Sequence, residues 1–109
     1  IGYIGYTQMF EGMVYMEWTE KQVEVFMKSE AQKRGCLFYK FVSPGNDGVP
    51  DRILITRTGQ VHFIELKTTT GRLSPTQQVQ ILRLKEHHAQ VSVVQGKDGV
   101  INFFTEAGL

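Results

Sequence analysis

Two periodicities alternate along the chain. From Val23 onward, Val23, Phe26, Met27 and Ala31 recur three and four residues apart, the spacing of one face of a helix. Thr19 with Gln22 three residues later makes a capping box, in which the hydroxyl accepts from a free N–H and the Gln side chain reaches back. Lys33 and Arg34 suit the negative end of the dipole, and Gly35 can take the left-handed conformation that closes a helix. The pattern predicts a helix over 19–34. CLFYKFV (36–42) is aromatic and reads as a strand, SPGNDG (43–48) as a turn cluster. RILITR (52–57) and VHFIELK (61–67), joined by Thr58-Gly59-Gln60, read as a hairpin. A second helix opens at Ser74, with Pro75 at its first position and Gln77 completing another capping box. It is expected to turn Val79 and Leu82 inward, with Ile81 beside them, and to end near His87 and His88. VSVVQ (91–95), a GKDG turn and VINFF (100–104) read as a last pair of strands. The predicted order is α-β-β-β-α-β-β, an α/β class fold with a mixed sheet and helices packed on it.

Residues 1–15 differ from the rest: they hold no Lys or Arg, three glycines and a tandem IGY. Met16 reads as a natural start, so 1–15 is expected to be a tag-like extension or a strand-like arm, and 16–109 the folded domain. A chain of 109 residues has room for one core. No apolar run approaches the roughly 18 residues of a membrane span, and no signal-peptide pattern is seen, so a cytoplasmic protein with no membrane partner is expected. Cys36 is alone and cannot close an intrachain disulfide; one Cys and three His offer no zinc spacing, which leaves Cys36 as a small buried hydrophobe. A net charge of +1, from 12 basic against 11 acidic residues, does not by itself point to a polyanion. Carboxylates gathered at a metal would be neutralised there, however, leaving Lys and Arg elsewhere to face phosphate.

The chemistry lies in the hairpin. Residues two apart on a strand share a face, so Glu65 and Lys67 project together while Leu66 points away with its backbone carbonyl available. Asp51, held at the start of the neighbouring strand by Pro50, reaches the same place. Two carboxylates and a carbonyl are hard oxygen donors suited to Mg²⁺, which keeps waters and is completed by substrate phosphate. The lysine adds a charge that no ligand set requires, and an ammonium beside a metal-activated water suits hydrolysis of a phosphodiester. Taken separately, Glu-x-Lys and Pro-Asp are more often a cross-strand pair and a turn. Their placement on adjacent antiparallel strands inside an α-β-β-β-α-β order shifts the balance toward a site.

In that order the sequence resembles the PD-(D/E)XK nuclease superfamily, and more closely its VRR-Nuc branch. The resemblance rests on Glu20 in TEKQVE, Gly48-Val49-Pro50-Asp51, Glu65-Leu66-Lys67 and Gly71-Arg72-Leu73-Ser74-Pro75-Thr76-Gln77, and it spans 19 to about 95. It implies the αβββαβ core of the restriction-endonuclease-like fold. Asp51 and Glu65 would bind Mg²⁺ or Mn²⁺ with the Leu66 carbonyl, and Lys67 would position the attacking water. Glu20 would hold metal-bound water or a second metal, with Glu24 the competing choice, and Gln77 would orient Lys67 or a phosphate. The activity implied is a metal-dependent DNA endonuclease. Stand-alone members, often from phage, resemble homodimeric resolvases of four-way (Holliday) junctions, which implies a symmetric dimer because paired cuts need two sites. A nuclease acting on duplex or flap DNA in repair or restriction, and a non-catalytic nucleic-acid-binding module, stay open beside it. Arg72, in the loop next to the site, is the best candidate for DNA phosphate, followed by Arg52 and Lys21; Lys28, Arg83 and Lys85 read as solvated. His62 falls on the strand face opposite Glu65, His87 and His88 end a helix, and Trp18 and Tyr39 read as packing residues.

Overall fold

A computed structural model describes the backbone of residues 7–10 and 13–109, and side chains from residue 17 onward. Expectations for residues 1–6, 11 and 12 lie outside the described residues. A short antiparallel ribbon comes first, β1 (Thr7–Phe10) against β2 (Met13–Met16). Helix α1 (Glu20–Lys33) follows, then β3 (Leu37–Lys40), β4 (Arg52–Ile55), β5 (Val61–Lys67), α2 (Pro75–Glu86), β6 (Gln90–Gln95) and α3 (Gly96–Glu106).

Both helix starts form as the sequence predicts. Thr19 and Ser74 each accept from the N–H three residues on, and Gln22 and Gln77 return the bond to the cap N–H. Gly35 closes α1 at φ 71°, where a side chain would strain the backbone. The sheet order is β3-β4-β5-β6, antiparallel except for the parallel β5–β6 pair. A parallel neighbour requires a crossover, and α2 supplies it. Strand alternation then sorts the residues. Leu54, Ile64, Leu66 and Val94 face α1 and α3, forming the core with Val23, Met27, Ala31, Cys36, Val100, Phe103 and Phe104. Phe63, Glu65, Lys67, Val93 and Gln95 lie on the opposite face. The chain is therefore an α/β fold built on the αβββαβ order, with α3 added.

Two expectations fail here. Residues 100–104 are helical, not a strand: Val100, Phe103 and Phe104 stand three and four apart, and as α3 they pack as one stripe on α1 and the sheet. On α2 the inward residue is Ile81, 7% exposed, whereas Val79 and Leu82 are 50% and 58% exposed. That helix packs against β6 and little else, so only a narrow stripe of it is covered.

Cys36 is buried in the core, as read from its isolation, and burial pushes its thiol up. His62 is buried edge-on to Phe103, with ring centroids 5.4 Å apart, and its Nε2 has no hydrogen-bond partner among the described residues. Burial lowers its pKa and keeps the ring neutral. Among the described residues no helix is long and apolar enough to cross a membrane.

Candidate active site

The site forms where the β4–β5 ladder stops. Arg52 pairs with Ile64; continuing the register would set Asp51 opposite Glu65 and Pro50 opposite Leu66. A proline has no N–H to give, so the ladder cannot go on. Leu66 N instead donates to Asp51 Oδ1 at 3.2 Å, which fixes that carboxylate beside β5. The backbone on the other side is held by Phe41 N, donating to Asp51 O at 2.9 Å. Gly48 lets the preceding loop turn at φ 86°, and a Cβ there would stand 2.7 Å from both the Thr76 methyl and its carbonyl oxygen. The loop that carries Asp51 thus rests directly on the first turn of α2.

Glu65 and Lys67 project from the same face of β5, with Nζ 3.6 Å from Glu65 Oε2. Glu65 is 4% exposed although it ends in a carboxylate. Burial first, then repulsion from Asp51, pushes its pKa from 4.5 to about 7, and Lys67 offsets only part of this. Gln77 Nε2 donates to Glu65 Oε2 at 3.0 Å while Gln77 Oε1 accepts from Ser74 N at 3.0 Å. One amide therefore caps α2 and orients Glu65. Sequence reasoning set Gln77 against Lys67 or a phosphate; its partner here is the acid.

Glu20 reaches the site because the segment before α1 is tied to the end of β5. Trp18 N donates to Thr69 Oγ1 at 2.7 Å, and Thr69 N returns a bond to Trp18 O at 3.2 Å. Partial burial, and then the neighbouring Asp51 carboxylate, raise the Glu20 pKa. Glu24, one turn on, is engaged elsewhere. It pairs with Arg52 and, at 3.1 Å, with Lys21, and these bonds lower its pKa. Arg52 also stands 3.4 Å from Asp51 Oδ2 and donates to Asp51 O at 2.9 Å. Its side chain is only 11% exposed, so it is turned onto carboxylates and not outward. Sequence reasoning missed this role because Arg52 alternates onto the helix face, where an arginine is unusual unless paired. Arg72 is exposed in the loop before α2, and Lys21 is exposed on α1.

The donors fit a hard divalent cation. Among the described residues no three His, Cys, Asp or Glu side chains are gathered closely enough to enclose an ion by themselves. Asp51 and Glu65 approach as a pair, with Glu20 adjoining and the backbone of Leu66 between them. Glu20 and Glu65 both have raised pKa values, first from burial and then from the carboxylate of Asp51 beside them. Two carboxylates are hard oxygen donors of the kind that an open divalent-cation site uses.

Comparison with known proteins gives the family and the fold. The family model described as "VRR-NUC domain" matches residues 11–98. A protein described as "Putative nuclease p44", from Acyrthosiphon pisum secondary endosymbiont phage 1, is 38% identical over 79 residues, covering 72% of this chain and 85% of that one. A solved structure described as "VRR_NUC domain" superposes with a TM-score of 0.74 at 26% identity, covering 82% of this chain and 97% of the other. A second, "VRR_NUC domain protein", gives 0.63 at 20% identity, covering 81% and 86%, and shares the fold.

Proposed function

Because this chain belongs to the VRR-NUC domain family, a family of nucleases, we propose that it is a Mg²⁺- or Mn²⁺-dependent DNA endonuclease acting as a homodimer on four-way junctions. The observation that carries the reading is the convergence of Asp51, Glu65 and Lys67 at the end of the β4–β5 ladder, with a buried Glu65 whose pKa is about 7. Asp51, Glu65 and the Leu66 carbonyl would hold the ion, with Glu20 beside them. When bound, the ion supplies Lewis-acid stabilisation of charge developing on the phosphate. Lys67, on the same strand face as Glu65, orients the attacking water and adds a second positive charge to the transition state. Gln77 keeps Glu65 turned toward the site. Arg52 holds Asp51 from behind, leaving exposed Arg72 and Lys21 to meet the DNA backbone.

The dimer is proposed on stoichiometry. Each chain carries one such constellation, and symmetric cuts in two strands require two in fixed relation.

Cleavage of labelled four-way junctions, flaps and linear duplex, with Mg²⁺ or EDTA, tests the reading. Paired, metal-dependent nicks in the junction alone are expected. Equal cutting of all three would remove the junction specificity, and metal-independent binding with no cutting would remove the catalysis.

A further inference from the structure

We propose that the cleft beside Glu65 and Lys67 is a subsite for the nucleotide next to the scissile phosphate, an inference that rests on the nuclease reading above. The parallel β5–β6 register sets Val93 beside Glu65 and Gln95 beside Lys67 on one sheet face. Neighbouring strands lie about 4.8 Å apart. A ligand resting on Val93 and Gln95 thus lies about one strand spacing from the acid and the amine, which sit beside the cleft and not in its lining.

Those two residues line a shallow, open cleft of about 680 Å³ together with Thr70, Gly71, Arg72, Leu73 and Gln78. That volume lies in the range of roughly 300–1,000 Å³ found for small-molecule sites, enough for a base with its sugar. The chemistry is divided as a nucleotide would require. Val93, 38% exposed, and half-buried Leu73 offer apolar surface for the face of a base. Arg72 makes no ion pair among the described residues and is free for phosphate.

The two amides are anchored from behind. Gln78 Nε2 donates to Leu73 O at 3.3 Å, and Gln95 Nε2 donates to Gly71 O. Each amide is thereby oriented by the loop it bonds and keeps its Oε1 to accept from a base N–H. Such pre-anchoring lowers the entropy lost when a ligand is bound.

The test is a set of labelled oligonucleotides identical except for one missing base, moved along the strand through the cut position. Affinity is read in EDTA, and KM and kcat in Mg²⁺. Loss of the base that occupies the cleft is expected to weaken binding and raise KM about tenfold, the usual scale for one stacked base, with kcat nearly unchanged. In Gln78→Ala, a substitution at an exposed helix position, that penalty should shrink, because one hydrogen bond to the base edge is already lost. Val93→Trp, which fills the cleft, should weaken binding of the intact strand. A flat series in the wild type, or a penalty undiminished in both variants, would overturn the subsite. Because affinity is read without metal, a protein that bound DNA with this pattern yet cut nothing would refute the nuclease reading and leave the subsite standing.

Discussion

Glu65→Gln is expected to stabilise the metal-free protein at alkaline pH. In the folded chain the Glu65 carboxyl has its pKa pushed to about 7 from an ordinary 4.5, mainly by burial and by Asp51. Between those values the native state holds a proton that the unfolded chain has released, so stability falls as pH rises, and the loss is complete above about 7. At 1.36 kcal/mol per pH unit of difference, the cost of ionising Glu65 in place is about 3 kcal/mol. A glutamine has no charge to bury and can still accept from Gln77. The assay is urea unfolding in EDTA at pH 5 and at pH 8, with and without the substitution. Wild type should lose about 2.5 kcal/mol of that total relative to Glu65→Gln on going from pH 5 to pH 8, because pH 5 already lies above the unfolded value, and Mn²⁺ should restore stability at pH 8 to the wild type only. A pH-independent difference between the two proteins would mean that Glu65 is not under electrostatic strain, and the argument from burial would fail.

Three other perturbations separate roles that lie close together. Lys67→Ala should abolish cutting in Mg²⁺ while affinity for the same DNA in EDTA changes little, because the amine acts on the water and not on the duplex; retained turnover would remove it from the mechanism. Arg52→Met strands Asp51 and Glu24 without their shared partner, and should cost about 2–3 kcal/mol, below the roughly 3–5 of a fully buried pair. Adding Glu24→Gln should recover part of that loss in a thermal melt, and strict additivity would show that the two do not interact. Gly48→Ala puts a Cβ against the Thr76 carbonyl at a φ of 86°, so about 1–3 kcal/mol of strain is expected, with activity falling alongside the melting temperature. Unchanged melting would mean that the loop can relax away from α2.

Local signals were readable where chemistry is local. Thr19 with Gln22 and Ser74 with Gln77 fixed both helix starts, because a capping box satisfies backbone donors whatever the tertiary context. The hairpin was equally legible, and with it the shared face of Glu65 and Lys67. VINFF was misread since a short, mostly apolar segment fits either period, and α1, against which it packs, is distant in sequence. Val79 and Leu82 were misplaced for a related reason, as nothing in α2 says how little of it the sheet will cover. Long-range electrostatics were hardest to read. That Glu24 belongs to Arg52 while Glu20 stands near Asp51 depends on the docking of α1, set in part by the Trp18–Thr69 bonds 51 residues apart. The cleft along β6 was invisible without the parallel register.

The central claim is that Asp51 and Glu65 share one hard divalent ion. Anomalous scattering from a crystal soaked in Mn²⁺ tests it most directly. A single strong peak is expected at bonding distance, about 2.0–2.3 Å, from a carboxylate oxygen of each residue and close to the Leu66 carbonyl. A well-ordered Asp51 and Glu65 with no manganese between them would contradict the account.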